Sequence, residues 1–222
     1  LDELTLTLDY GTNISEITIP REIADLPLLQ DIRIITRDAA LYLPDNIGSC
    51  PSLKTVNLDS NTAIALPDSL GNLSTLESLG IKQLKGSNIS FDGLTSLQSL
   101  SIRDYHSGMD SSTLPNLFTQ PHPSLKTIDL YDINDTLASW LQYLPLNDLS
   151  LECPKVQTSN FPPHAFPNLE KLTFKGAGLY TLDDAFLTYP KLKKLEVNTT
   201  GTHIIIPKSY KHVDFEVDIF LS

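Results

Sequence analysis

The sequence predicts an α/β repeat solenoid, in which a parallel sheet of about ten strands lines a concave face and short helices or 3-10 turns form the convex side. Two observations predict it. Leu43-Pro44-Asp45-Asn46-Ile47-Gly48 recurs as Leu66-Pro67-Asp68-Ser69-Leu70-Gly71, an offset of 23 residues. Leu53-x-x-Val56-x-Leu58 recurs at the same offset as Leu76-x-x-Leu79-x-Ile81. A unit of that length cannot bury its own apolar face, so it gains stability by stacking on its neighbours.

The same three-position apolar pattern occurs at Leu1-Leu4-Leu6, Leu29-Ile32-Ile34, Leu97-Leu100-Ile102, Leu125-Ile128-Leu130, Leu146-Leu149-Leu151, Leu169-Leu172-Phe174 and Leu192-Leu195-Val197. Tyr210-Val213-Phe215 reads as a worn tenth copy. Residues 1–222 are therefore read as one domain, with units starting near 1, 29, 53, 76, 97, 125, 146, 169, 192 and 210. The pattern L-x-x-L-x-L at this period resembles the leucine-rich repeat, which implies a right-handed curved horseshoe and, as the usual activity, recognition of a protein.

Within each unit the apolar residues alternate with polar ones, as in a strand buried on one face: Leu4 and Leu6 point inward, Thr5 and Thr7 outward. Ten such strands in parallel span about 43 Å at about 4.8 Å spacing. Pro20, Pro44 and Pro67 stand where the chain leaves a turn and starts a short helical stretch. Ile23 with Leu26, and Leu70 with Leu73, supply its inward contacts. The longest return places Leu137, Trp140, Leu141 and Leu144 on one helical face behind Asn134-Asp135-Thr136, which predicts a capped helix with Trp140 in the core.

Three residues after the third apolar position the leucine-rich-repeat pattern carries Asn, but here those positions read Asp9, Arg37, Asn61, Leu84, Tyr105, Ile133, Pro154, Ala177 and Thr200. Only Asn61 conforms, so other groups or water must satisfy the turn amides, and the repeats should be uneven. Solenoid ends need caps. The chain starts at Leu1 without Met, and is read as a mature or trimmed piece whose apolar first strand is capped upstream or by a partner. At the other end the alternation through Val213, Phe215 and Val217 reads as a closing strand.

Composition narrows the function classes. Hydrophobic residues make up 41%, ordinary for a folded chain. No apolar run approaches the roughly 20 residues of a membrane-spanning helix, so no membrane insertion is expected. Lys and Arg total 16 against 27 Asp and Glu, a net charge of −11 spread along the chain, which disfavours a nucleic-acid partner. Cys50 and Cys153 fall in units four strands apart, on the order of 19 Å at strand spacing. That exceeds the limit of about 7 Å between bridged Cα atoms, so both should be free thiols. The missing Cys-rich caps, together with the L-P-x-x-[IL]-G returns, look like bacterial surface or secreted repeat proteins more than plant or animal receptors, and localisation at the cell surface or outside the cell is favoured over a host-delivered or cytoplasmic one.

Residues that could carry chemistry are scattered. His106, His122, His164, His203 and His212 lie in separate units without a metal-like companion at i+3 or i+4, and each reads as a turn or surface residue. No metal and no cofactor is expected, and no nucleophile or phosphate-binding motif is present. Arg103-Asp104-Tyr105-His106-Ser107-Gly108 mixes an acid, a base and a turn, and reads as an inserted loop. Cys153 has an acidic neighbour, Glu152, that opposes thiolate formation. Asn-x-Ser/Thr at Asn13, Asn72, Asn88, Asn134 and Asn198 is a weak glycosylation signal in a Ser/Thr-rich chain.

The outward columns of the sheet carry the functional expectation. One reads Thr7, Ile35, Asp59, Lys82, Arg103, Tyr131, Glu152, Lys175, Asn198 and Glu216; the other reads Thr5, Arg33, Asn57, Gly80, Ser101, Asp129, Ser150, Thr173, Glu196 and Asp214. Arg and Tyr are over-represented among residues that carry interface energy. The expected contact site on the concave face is therefore Arg33, Ile35, Asp59, Lys82, Arg103, Asp129, Tyr131, Glu152 and Lys175, centred on Arg103 and Tyr131. The expected function is a monomeric, non-enzymatic module that binds a protein ligand. Two alternatives stay open: the substrate-recognition arm of a larger effector enzyme such as a ubiquitin ligase, or a surface adhesin for host protein or glycan.

Overall fold

The computed structural model describes residues 1–11, 13–84, 89–103, 117–131, 141, 144–152, 163–177, 182, 184–199, 204–212 and 214–221. Ten strands form one parallel sheet: β1 (Glu3–Leu8), β3 (Asp31–Thr36), β5 (Thr55–Ile64), β6 (Ser78–Leu84), β7 (Ser99–Arg103), β8 (Thr127–Tyr131), β9 (Asp148–Glu152), β10 (Lys171–Ala177), β11 (Lys194–Thr199) and β12 (Glu216–Leu221). They lie side by side in the order in which they follow along the chain. This sheet with its short 3-10 turns is compatible with a repeat solenoid, and among the described residues there is no long helix.

The apolar pattern sets the register. Leu4 pairs with Ile32, Ile32 with Val56, Val56 with Leu79 and Leu79 with Leu100, so the middle apolar residue of each unit stacks on the next. Those positions are buried from Ile32 through Leu195, and Leu58, Leu100, Ile102, Leu149 and Leu151 are wholly enclosed. Backbone pairing continues past each strand start, where the Gln30 carbonyl accepts from both Lys54 and Thr55 N–H and the Lys54 carbonyl from both Glu77 and Ser78.

The returns run as 3-10 turns after proline, as expected. The carbonyls of Pro20, Pro44, Pro67, Pro163 and Pro207 accept the N–H groups of Ile23, Ile47, Leu70, Phe166 and Tyr210 at 3.0–3.2 Å. Each of those donating residues is buried in the common core. The Gly that closes the repeated motif has a steric reason. A Cβ on Gly48 would collide with the Ser69 carbonyl oxygen of the next turn, and one on Gly71 with that of Ser90. Successive turns thus stack backbone on backbone, which only glycine permits.

In the second and third units hydroxyls satisfy the turn groups. Thr36 and Ser60 are fully buried; Thr36 donates to Ser60 Oγ at 2.9 Å, and its hydroxyl lies 3.1 Å from the Ala39 carbonyl. Thr62 donates to the same carbonyl at 3.1 Å, while its N–H donates to Ser60 Oγ at 3.0 Å. Turn groups of two units are satisfied together in this way. A second two-stranded sheet, β2 (Glu16–Thr18) with β4 (Ala40–Tyr42), lies in the returns of the first units, where the sequence predicted none.

The last unit departs from expectation. Leu195 pairs with Val217 and Val197 with Ile219, so the tenth strand lies four residues beyond the copy read at Tyr210-Val213-Phe215. Tyr210 is instead the buried residue of a 3-10 turn, Lys208–His212, equivalent to Leu70 in Asp68–Asn72. The outward partner of Asn198 is therefore Phe220 and that of Glu196 is Asp218, replacing Glu216 and Asp214. Pro207-Lys208-Ser209-Tyr210 repeats Pro67-Asp68-Ser69-Leu70, a local signal that fixes the turn. At the opposite edge Leu4 and Leu6 are only half-buried and β1 pairs on one side alone.

The helix expected around Trp140, the loop at 104–110, Cys153, His106, His203, Val213, Asn88 and Asn134 lie outside the described residues, although Leu141 and Leu144 are buried as expected. Cys50 is a free, buried thiol. No described helix is long and apolar enough to cross a membrane.

Candidate functional site

The outward columns line up across the open face of the sheet as the alternation requires. Ile35 pairs with Asp59, Asp59 with Lys82, Lys82 with Arg103, Arg103 with Tyr131, Tyr131 with Glu152 and Glu152 with Lys175. Arg33 and Asp129 fall in the neighbouring column, so all nine expected residues share this face. They do not form one cluster; six of them, Asp59, Lys82, Arg103, Asp129, Tyr131 and Lys175, gather into two.

The first cluster is built on Tyr131. The Arg103 guanidinium lies over its ring, 4.2 Å from the centroid, and Lys175 Nζ stands 4.7 Å from the same centroid. Lys175 also donates to the Tyr131 hydroxyl at 2.8 Å, reaching over β9 to do so. Asp129, two residues before Tyr131 on the same face, lies 3.6 Å from Arg103 and 3.5 Å from Lys175. One aromatic ring is thus held by two cations that share a carboxylate. Burial alone would lower the Lys175 pKa, but the Tyr131 hydrogen bond and the Asp129 charge outweigh it and raise it above the usual lysine value. The ammonium is fixed as a charged donor at neutral pH. A bulge within β10, between Phe174 and Ala177 with Gly176 at φ +63, shifts its pairing with β11 next to Lys175.

The second cluster surrounds Asp59. Lys82 lies 3.0 Å and Arg37 3.7 Å from its carboxylate, and Lys82 also donates to Asn61 Oδ1 at 3.2 Å. Asn61 in turn donates to the Tyr10 hydroxyl at 2.9 Å. Arg37, Asn61 and Tyr10 were not among the expected site residues, because Arg37 and Tyr10 sit beyond their strands and Asn61 lies in the later part of β5, past the columns read from the sequence. Arg37 and Asn61 do occupy one column, three residues after the third apolar position, which was the available signal.

Between the two clusters the face is indented. Asn57, Gly80 and Ser101 are neighbours on β5, β6 and β7, and the small side chains leave a hollow of about 370 Å³ bordered by Arg33, Asp59, Lys82 and Arg103. Beyond the first cluster a third outward column, read one residue before the middle apolar position, pairs Asp148 with Lys171 and Lys171 with Lys194. Lys171 reaches Glu196 at 3.7 Å and Lys194 reaches Asp218 at 2.7 Å. Burial raises the Asp148 pKa, against the opposing charge of Lys171. In the column between, the Ser150 and Thr173 hydroxyls are buried with no hydrogen-bond partner among the described residues. Among the described residues no three His, Cys, Asp or Glu side chains gather as metal ligands.

His122 corrects one expectation. It lies in the return before β8 and is neither a turn nor a surface residue, being buried: Nδ1 accepts the Leu125 N–H at 3.1 Å and Nε2 lies 2.9 Å from the Leu94 carbonyl.

No protein-family model matches this chain, and no curated protein matches it. The geometry of the open face is therefore what a functional reading rests on.

Proposed function

We propose that the chain is a leucine-rich-repeat module, non-enzymatic, which recognises a protein ligand through the open, concave face of its sheet. The apolar positions of successive units stack in register, and the returns are 3-10 turns after proline; both support the repeat reading. The observation that carries the functional reading is the ordered Tyr131 side chain between Arg103 and Lys175. Holding an aromatic ring and two cations in place before binding lowers the entropy lost on association, and Tyr and Arg supply much of the energy of protein interfaces. Arg103, 43% exposed at its side chain, keeps surface available to a partner.

The test is capture of proteins from candidate host and self extracts by the intact chain and by an Arg103→Glu, Tyr131→Ala double variant whose fold is verified by circular dichroism. A protein retained by the first and lost by the folded variant supports recognition through this face. Capture that is equal for both overturns it and moves the contact to the turns.

A further inference from the structure

The hollow between the two clusters has a chemistry of its own. Its floor is made of Gly80, Ser101 and their strand neighbours, and three cations but a single carboxylate, Asp59, border it. In a chain carrying −11 this is a local reversal of charge. The cations are not equivalent. Lys82 is engaged by Asp59, and Arg103 by Asp129 and the Tyr131 ring. Arg33 is exposed and has no ion pair among the described residues. Its guanidinium offers a planar fork suited to two carboxylate oxygens.

We propose that this hollow receives the carboxylate of an Asp or Glu side chain on the partner polypeptide, with Arg33 as its principal donor and Arg103 on the opposite wall. This rests on the reading of the open face as a protein-recognition surface. A carboxylate fits better than a phosphate, because Asp59 on the rim opposes a second negative charge while its neutralisation by Lys82 and Arg37 leaves a single one tolerated. The absent side chain at Gly80 is what opens the space. A Cβ there would approach only the Asn57 side chain, at 3.2 Å, so a larger residue can be accommodated by the fold and would occupy the hollow.

The test is an NMR titration of the ¹⁵N-labelled 222-residue chain with acetylated, amidated Gly-Gly-Glu-Gly-Gly, its Gln counterpart, a Gly pentapeptide with a free C-terminus, and inorganic phosphate. The Glu peptide is expected to shift the Gly80 and Ser101 amides and the Gln peptide to leave them in place. Arg33→Gln and Gly80→Phe should each weaken the Glu peptide by about tenfold, the worth of a charge-assisted hydrogen bond or of the lost volume. Glu binding unchanged in both variants overturns the proposal, as does stronger binding of phosphate or of the free C-terminus at the same amides. Partner capture separates this from the wider reading. Loss in the Arg103→Glu, Tyr131→Ala variant with full retention in Gly80→Phe overturns the hollow alone; retention in both overturns recognition through the face, whatever the peptide does.

Discussion

Lys175 Nζ donates to the Tyr131 hydroxyl at 2.8 Å although β9 lies between their strands. The bond ties residues 44 apart in sequence into one contact and holds the Tyr131 ring under Arg103. Tyr131→Phe keeps the ring and removes the acceptor, so it should cost about 0.5–1.5 kcal/mol. It should also lower the Lys175 pKa, read from the side-chain carbon shifts. Because the folded pKa is raised, the stabilisation is complete below the unfolded value near 10.5 and is lost as pH rises through the folded one. The stability gap between parent and variant should therefore be constant from pH 7 to 9 and close above about 10.5.

The stacked turns make a sharper prediction about glycine. Gly48→Ala places a methyl against the Ser69 backbone, which cannot rotate away, and should cost about 2 kcal/mol in urea denaturation. Gly80→Ala meets only the Asn57 side chain and replaces a strand glycine, so it should stay within about 0.5 kcal/mol of the parent.

His122 is held neutral, with the proton on Nε2, because Nδ1 accepts the Leu125 N–H. Burial depresses its pKa, against the raising influence of the Leu94 carbonyl and Asp92. A depressed histidine contributes stability above its unfolded pKa of about 6.5 and loses it as pH falls toward the folded value. Stability should thus decline over the pH window below about 6.5, by at most about 1.4 kcal/mol per pH unit from this group. His122→Gln should be less stable at pH 7, and the decline over that window should be shallower.

Cys50 is 3% exposed and its pKa is raised by burial. In a Cys153→Ser chain it should not react with a thiol-disulfide reagent under native conditions, and should react fully in denaturant. Rapid native labelling would show that the turn over Cys50 opens readily.

Thr36→Val deletes a hydroxyl that bridges Ser60 and the Ala39 carbonyl in a fully buried place. The expected cost is about 1–3 kcal/mol, since the Ser60 group loses a partner it cannot replace with water. Thermal denaturation checks it, with Thr5→Val, on an exposed stretch of β1, as the neutral control.

What the sequence determined by itself is the parallel sheet, its strand order and which side chains share each face. Those follow from a period of two within a unit and one unit length between units, and both are local properties that any reader of Leu53-x-x-Val56-x-Leu58 and its copies can count. The turns at Pro44 and Pro67 were legible for the same reason. The last strand was misplaced because Tyr210 is as apolar as a strand residue, although the Pro207 turn marks it as a return. Only the tertiary structure decided which outward residues touch. Arg103 turning onto Tyr131, Lys175 crossing β9, the hydroxyl set of Thr36, Ser60 and Thr62, and the hollow over Gly80 depend on rotamers and on side-chain lengths across several strands. A column of residue names fixes the address of each side chain, but its partner is chosen by the competition among all neighbours for the same charges and the same space.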